Sequence, residues 1–185
     1  MTQFTRRNLL VLGGAGIGLA ACSNGIGSNG AAEIDARVDS TRDYLMSTYP
    51  STKDLENKAA GVLYMPLMTE ASFGVGGSYG RGALRIHNAT VDYYSAASAS
   101  LGFQIGAQQY AHALFFMTQD ALADFRSASG WAMRADARYA LPDRGGSLGT
   151  DTTTSLSPVI ALVFGQSGLI AGASLAGTKY TRIIP

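Results

Sequence analysis

The feature that most restricts the fold is a run of 25 residues, 93–117, that contains no Asp, Glu, Lys or Arg. A membrane helix needs about 20 mostly apolar residues, so the run is long enough to span a bilayer. Three glutamines and His112 argue against that, because unpaired amides in hydrocarbon cost several kcal/mol each. From residue 103 onward, neither of the two alternating sets of side chains is charged. We therefore predict two consecutive strands of an antiparallel sheet whose faces are both largely covered.

Length and composition fit one folded domain with a sizeable core. The chain has 185 residues, of which 46% are hydrophobic and only 15% charged, and it contains 23 glycines. Such a composition is typical of a globular domain rich in turns or in strands that approach each other closely.

The first 21 residues have the composition of an export signal. Arg6 and Arg7 resemble the paired arginines of a twin-arginine signal, and the uncharged, glycine-rich residues 9–21 are too short for a comfortable membrane span. Leu19-Ala20-Ala21-Cys22 resembles a lipobox, which implies cleavage before Cys22 and a diacylglycerol on its thiol. Cys22 is the only cysteine, so an intramolecular disulfide is excluded. Lipidation would explain why an exported protein has a single cysteine at this position.

These features predict a bacterial lipoprotein held on the periplasmic side of the cell envelope. Residues 22–32 form the lipidated cysteine and a flexible Gly/Ser/Asn tether, and residues 33–185 form the domain. Ser23, rather than Asp, follows the cysteine, which resembles lipoproteins of the outer membrane and favours that membrane over the inner one.

Charge and histidine content exclude several function classes. Removal of residues 1–21 takes away Arg6 and Arg7 and no acid, leaving 12 basic and 13 acidic residues. A nucleic-acid-binding domain needs a strong basic excess, so no nucleic-acid partner is predicted. With one cysteine and two distant histidines, the sequence predicts no metal site and no cofactor.

Three helices are predicted. In residues 33–49 the positions 34, 38, 41, 45 and 49 form one stripe at helical spacing, and Pro50 ends the helix. A short second helix is capped by Ser51 or Thr52 and runs through Lys58. The third covers residues 118–126, with Thr118 as its N-cap.

The remaining segments are predicted as strands and turns. Residues 60–66 form a first strand, and residues 73–87 form a hairpin whose turn is Gly80-Arg81-Gly82. Residues 131–141 form a strand with one solvent-exposed face, and residues 142–154 form a loop. A last hairpin joins residues 158–164 to 169–177 through a turn at 165–168, and 178–182 continue it. The predicted class is α+β: an antiparallel, Gly-rich sheet, sandwich-like or partly closed as a barrel, flanked by two or three helices.

One motif raises the alternative of a serine hydrolase. Residues 76–80 (GGSYG) match a nucleophile elbow centred on Ser78. That motif needs a strand before it, a helix after it and a supporting histidine, whereas here another strand follows. His87 is predicted to lie on the surface, and His112 is predicted to be a buried histidine whose ring nitrogens are hydrogen-bonded. Neither is expected to act as a base for Ser78, so the protein is not expected to be an enzyme.

Four ordered blocks of sequence resemble the SYLF domain, a lipid-binding module of bacteria and eukaryotes. They are residues 73–80 (FGVGGSYG), 100–108 (SLGFQIGAQ), 125–131 (FRSASGW) and 168–179 (GLIAGASLAGTK), and the resemblance covers residues 59–184. In eukaryotes this family is associated with phosphoinositides, partly through an amphipathic N-terminal helix, and the yeast members with actin. The resemblance therefore implies lipid binding as a class of function, and the helix at residues 33–49 occupies the place of the family's N-terminal helix.

The predicted function is a non-enzymatic, lipid-anchored domain whose partners are membrane phospholipids. The candidates for head-group contact are the basic residues Lys53, Lys58, Arg81, Arg85, Lys179 and Arg182. Arg81 and Arg85 are four residues apart on one predicted strand, so their side chains share a face. The alternative function is an envelope adaptor or structural protein that binds another protein, or itself, through the small-residue face of the sheet.

Overall fold

A computed structural model describes residues 28–133, 138–140, 157–168 and 175–185, which form an α+β fold with a half-barrel sheet. The helices are α1 (Gly30–Thr48), α2 (Thr52–Lys58) and α3 (Gln119–Ser127). The strands are β1 (Gly61–Ile86), β2 (Ala89–Phe116), β3 (Trp131–Ala132), β4 (Arg138–Ala140), β5 (Val159–Gly168) and β6 (Lys179–Ile183). The predicted class is confirmed. Within the described ranges, no helix is both long and apolar enough to cross a membrane.

The sheet is built on one long hairpin of β1 and β2. Their antiparallel register runs from Gly61 opposite Phe116 to Ile86 opposite Ala89, and the turn is His87-Asn88. Two predictions were therefore wrong: Gly80-Arg81-Gly82 lies within β1 instead of forming a turn, and residues 93–116 belong to one strand instead of two. The exposed His87 has a positive φ of 51°, so a two-residue turn is made here without glycine.

Gly80 and Gly82 have a packing role in place of the predicted turn. A Cβ atom on Gly80 would overlap the carbonyl oxygen of Leu67, and one on Gly82 would overlap that of Tyr64. The first part of β1 therefore passes directly over its second part as the sheet curls. Only glycine permits this approach, which explains why the glycine signal resembled that of a turn.

The other edge of β2 pairs with two further strands. β6 lies beside residues 93–97 and β5 beside residues 108–116, both antiparallel to β2, and the strand order is β3-β6-β2-β5-β4 with β1 on the opposite edge. Among the strands of the described ranges, β4 and β5 form the single parallel pair, so this part of the sheet is predominantly antiparallel.

The predicted C-terminal hairpin was wrong in two respects. Residues 165–168 belong to β5, where Gly165 has a φ of 62° at a register shift opposite Gln109 and Ala111. This is a bulge, so the glycine signal again marked a kink within a strand. β5 and β6 each pair with β2, and residues 169–174 lie outside the described ranges.

The predicted strand at residues 131–141 is represented by two short elements. β3 covers 131–132 and β4 covers 138–140, on opposite sides of the sheet order. Residues 134–137 and the predicted loop at 142–154 lie outside the described residues.

Alternating side chains of the hairpin face two separate cores. On one face, here called the α3 face, Leu63, Met65, Leu114 and Phe116 pack against Leu122 and Phe125 of α3. On the other, here called the α1 face, Val62, Tyr64, Ala113 and Phe115 pack against Ile34, Val38 and Leu45 of α1. Both faces are covered along residues 110–116, all of which are buried, so the absence of charge there follows from burial on both sides. The predicted cover was wrong for the middle of β2, where Ala97, Ala99, Ala107 and Gln109 are exposed.

The helices agree closely with the sequence predictions. The α1 stripe is buried at Ile34, Val38 and Leu45, but the helix begins at Gly30, so residues 30–32 are helical instead of part of the tether. Thr118 caps α3 as predicted, its hydroxyl accepting a hydrogen bond from the Ala121 amide at 3.2 Å. Ser51 occupies the N-cap of α2 but makes no side-chain capping bond.

Candidate lipid-binding surface

A groove of about 170 Å³ lies where the first two turns of α1 meet the α1 face of the sheet. We call it the arginine groove; it is lined by Glu33, Ile34, Arg37, Pro66, Leu67, Thr69, Tyr79, Gly80 and Arg81. Arg37 comes from the helix, whereas Arg81 comes from β1, so the two cations are brought together only by the packing of α1 on the sheet. Gly80 contributes to the groove because it lets the chain at Leu67 cross closely above it.

The groove combines cations with exposed apolar side chains. Tyr79 is 57% exposed and Leu67 is 37% exposed, which makes them two of the few large hydrophobic residues on the described surface. Arg81 is partly buried, and Arg37 forms an exposed ion pair with Glu33, 2.7 Å apart and one helical turn earlier. Exposed pairs of this kind contribute little to stability, so Arg37 can exchange its carboxylate for another anion at low cost.

The sheet register places Lys179 on the same face of the sheet as Tyr79 but outside the groove. Tyr79 lies opposite Ala97, which lies opposite Lys179 of β6, and directly paired residues project to the same face. The Lys179 side chain lies against Gly130, where an added Cβ would be 3.1 Å from its ammonium nitrogen, and it does not line the groove. Of the predicted candidates, Arg81 alone therefore lines the arginine groove.

Arg85 shares the face of Arg81, as predicted, but it is occupied in holding α1 to the sheet. Its guanidinium lies 2.7 Å from Asp39 and 3.8 Å from Asp35, and its side chain is only 14% exposed. Asp35 also accepts hydrogen bonds from the Thr90 and Tyr93 hydroxyls, each at 2.8 Å. Burial and the bond to Asp35 raise the pKa of Tyr93 to about 12. This cluster joins the helix to β1 and β2 and places two of the four acids of α1 beside an arginine.

The other basic candidates lie apart from the groove. Lys53 and Lys58 are exposed on α2, which follows the far end of α1. Arg182 lies three residues beyond Lys179 on β6, so it projects to the opposite face, where it is 3.3 Å from Asp92. Asp92 also pairs with Arg126 of α3 at 2.8 Å. Cys22 lies outside the described residues, and its lipidation stays a prediction.

Sequence analysis missed Arg37, Leu67 and Tyr79. Arg37 lies outside the apolar stripe of the first helix, and Tyr79 is one residue of the glycine-rich block 73–80. The sequence feature that could have drawn attention to Arg37 is its spacing of four residues from Glu33. This spacing predicts an ion pair on a helix, but it does not indicate which part of the sheet lies next to that pair.

A second hollow of about 320 Å³ adjoins the arginine groove and shares Pro66 and Leu67 with it. Tyr44, which is 47% exposed, stacks on Phe164 there with ring centres 6.3 Å apart. We call this region the Tyr44 hollow; Ala111 and Gly165 also line it. The two hollows together form one amphipathic surface, basic at the start of α1 and apolar farther along it.

Ser78 does not have the setting of a hydrolase nucleophile. It lies inside β1, is 5% exposed, and its hydroxyl is 2.8 Å from that of Ser98. A nucleophile elbow needs a strand-to-helix turn at the serine, whereas here the strand continues for eight more residues to Ile86. His112 is fully buried with Nε2 2.8 Å from the Tyr180 hydroxyl, and His87 is exposed in the hairpin turn. Among the described residues, no group of three or more His, Cys, Asp or Glu side chains is placed to hold a metal ion.

Comparison with known proteins finds a family to which part of the chain is similar. The model of a family described as "Ysc84: Las17-binding protein actin regulator" matches residues 97–182. This segment contains three of the four SYLF-like blocks, and the block at residues 73–80 precedes it. No curated protein matches the chain. Residues 97–182 are therefore similar to the Ysc84 family, the family of the SYLF domain.

Proposed function

We propose that this protein is a non-enzymatic lipid-binding domain that is anchored in the bacterial cell envelope and contacts phospholipid head groups. The observation that carries the proposal is the arginine groove, in which Arg37 and Arg81 lie beside the exposed side chains of Leu67 and Tyr79. The similarity of residues 97–182 to a family associated with lipid binding supports it.

The chemistry of the groove suits a phosphodiester at a membrane surface. Guanidinium groups bind phosphate oxygens through two parallel hydrogen bonds, which are stronger than bonds between neutral groups. Tyrosine is favoured at the membrane–water interface, where its ring is among acyl chains and its hydroxyl is in water. The groove offers both kinds of contact within one surface of β1 and α1.

Anchoring is proposed through Cys22. Acyl chains on this cysteine would hold the protein on the periplasmic side of a membrane, with the outer membrane favoured by Ser23. Each buried CH₂ contributes about 0.8 kcal/mol, so several chains give nearly irreversible attachment and the domain need contribute only orientation or lipid selection.

The second candidate function is an envelope adaptor that binds a protein. The Tyr44 hollow favours it, because Tyr44 and Leu67 leave apolar surface exposed beside Phe164. The family description itself names a protein-binding activity, that of a Las17-binding actin regulator.

Two measurements test the proposal. Mass spectrometry of the N-terminal peptide should find diacylglycerol on Cys22, and Cys22→Ser should move the protein from the membrane to the soluble fraction. The mature chain from residue 22, carrying Cys22→Ser, should sediment with phosphatidylglycerol vesicles more than with phosphatidylcholine vesicles, and less so in high salt because the Debye length shortens. Equal sedimentation with both vesicles at low salt contradicts head-group binding, and an unmodified Cys22 contradicts anchoring.

A further inference from the structure

The arginine groove lies at the end of the domain from which the predicted tether leaves. Glu33 and Arg37, in the first two turns of α1, line the groove, and the described chain begins at Ser28, just before that helix. The rise along a helix is 1.5 Å per residue, so Arg37 is only about 10 Å from the start of α1 at Gly30. The C-terminus is at the same end, because a Cβ on Gly30 would lie 3.1 Å from the carbonyl carbon of Pro185.

The predicted tether between Cys22 and α1 is short. Six residues lie between Cys22 and the N-cap residue Asn29, so seven Cα–Cα steps join the two. Even fully extended these steps span no more than about 25 Å, and as a flexible coil about 15 Å. The groove of an anchored protein is therefore restricted to the immediate neighbourhood of the bilayer that holds Cys22, where the local concentration of head groups is high.

The charged and apolar groups are distributed as such a docking requires. Arg37 and Arg81 provide two cations against the single acid Glu33 among the residues that line the groove. Leu67 and Tyr79 project beside them, whereas the acids Asp35 and Asp39 are engaged by Arg85. At the far end of α1, Arg42 is paired with Glu56 of α2 at 2.6 Å, and the exposed Lys53 and Lys58 are accompanied by the exposed acids Asp43 and Asp54, so the charges there balance.

We propose that the arginine groove docks in cis: it binds anionic phosphodiester head groups of the same leaflet in which the acyl chains on Cys22 are inserted, with the start of α1 and Tyr79 facing that leaflet. The inference rests on the proposed function and adds to it which membrane is bound and which way the domain faces. The acyl chains and the groove then both bind the same membrane. Because the acyl chains already hold the domain at the bilayer, head-group binding by the groove loses little additional translational entropy.

A fluorescent reporter at the groove tests this orientation in the full lipidated protein. Trp131 is the only tryptophan, so Trp131→Phe combined with Tyr79→Trp leaves one reporter at the groove. The matched control combines Trp131→Phe with Lys53→Trp, an exposed site on α2. Lys53 lies beyond the C-terminal end of α1, which is about 27 Å along the helix from Gly30. Both proteins are reconstituted into phosphatidylglycerol-containing vesicles with or without phosphatidylcholine brominated near its head-group end.

A vesicle-clustering assay with the lipidated protein of native sequence distinguishes the two membranes, and Arg81→Glu is its variant. Docking in cis predicts that bromolipid quenches the Tyr79→Trp reporter and leaves the Lys53→Trp reporter unquenched, and that proteoliposomes do not cluster added phosphatidylglycerol vesicles. Clustering that Arg81→Glu abolishes, without quenching at position 79, would overturn docking in cis while leaving lipid binding by the domain intact. If neither quenching nor clustering is seen, both the orientation and the proposed function are overturned, and equal quenching at positions 79 and 53 would overturn the orientation alone.

Discussion

The Tyr180 hydroxyl and the His112 Nε2 atom lie 2.8 Å apart in the core, joining β6 to β2. Both side chains are buried, and His112 Nδ1 has no hydrogen-bond partner in the described part of the chain. Burial lowers the pKa of His112 to about 3, because a charged imidazolium would lose its hydration there. The predicted satisfied core histidine is thus buried and neutral, with one of its two nitrogens bonded.

This histidine should make the fold sensitive to acid. An unfolded histidine has a pKa near 6.5, so between about pH 6.5 and pH 3 the unfolded state takes up a proton that the folded state does not. The stability is complete above this window and falls as the pH falls through it. Denaturant unfolding should show a loss of about 2 kcal/mol from His112 between pH 7.5 and pH 5.

The control for this prediction is the exposed histidine. His112→Gln should remove that part of the pH dependence, whereas His87→Gln in the hairpin turn should leave it unchanged. If His112→Gln keeps the same slope of unfolding free energy against pH, the imidazole is not held neutral by burial.

Gly82→Ala should destabilise the sheet crossing. The added methyl group would overlap the Tyr64 carbonyl oxygen and lie 2.6 Å from the sulfur of Met65, so the strands must separate. Overpacking of this kind costs about 1–3 kcal/mol, measured as a lowered midpoint of thermal or denaturant unfolding. Gly77→Ala on the same strand is the control, since its Cβ would meet only the Ser98 carbonyl oxygen at 3.1 Å. Equal losses at both positions would contradict the close crossing at Gly82.

Thr118→Ala should weaken α3. The substitution removes the side-chain bond to the Ala121 amide, and loss of an N-cap typically costs about 1 kcal/mol. Ser51→Ala is the matched control, because Ser51 holds the N-cap of α2 without a capping bond and its replacement should cost much less. The two unfolding free energies can be compared in one denaturant series. A larger loss for Ser51→Ala would show that the two caps had been assigned the wrong way round.

Arg85 and Arg81 should separate stability from lipid binding. Arg85→Ala leaves Asp35 and Asp39 facing each other without their cation and should lower the unfolding free energy by about 1–3 kcal/mol. Arg81→Ala should change stability less and vesicle binding more. Unfolding curves and sedimentation with phosphatidylglycerol vesicles measure the two effects. If Arg85→Ala instead weakens vesicle binding and leaves the unfolding free energy unchanged, the roles assigned to the two arginines are contradicted.

Local signals predicted the helices and the class of the fold. The stripe at Ile34, Val38 and Leu45 and the cap at Thr118 each depend on residues within about one or two turns, so the sequence carries the whole signal. The alternation in residues 103–116 likewise predicted strand, although the number of strands was wrong.

Long-range packing could not be predicted in the same way. Glycine favours both turns and close crossings, and which one Gly82 serves depends on Tyr64, 18 residues earlier and brought near only by the curl of β1. Arg85 was placed on the correct face, but its partner Asp39 comes from a helix 46 residues earlier. The arginine groove has the same origin, because Arg37 and Arg81 meet only after α1 packs on the sheet.

The most direct test of head-group binding is a charge reversal within the groove compared with the same reversal outside it. The mature chain carrying Cys22→Ser is titrated with phosphatidylglycerol vesicles as the parent, as Arg81→Glu and as Lys53→Glu, the last being exposed on α2. A basic residue near an anionic membrane contributes about 1 kcal/mol, so Arg81→Glu should weaken binding about tenfold or more while Lys53→Glu stays close to the parent. Equal weakening by the two substitutions would mean that binding follows net charge, and it would contradict a head-group site in the arginine groove.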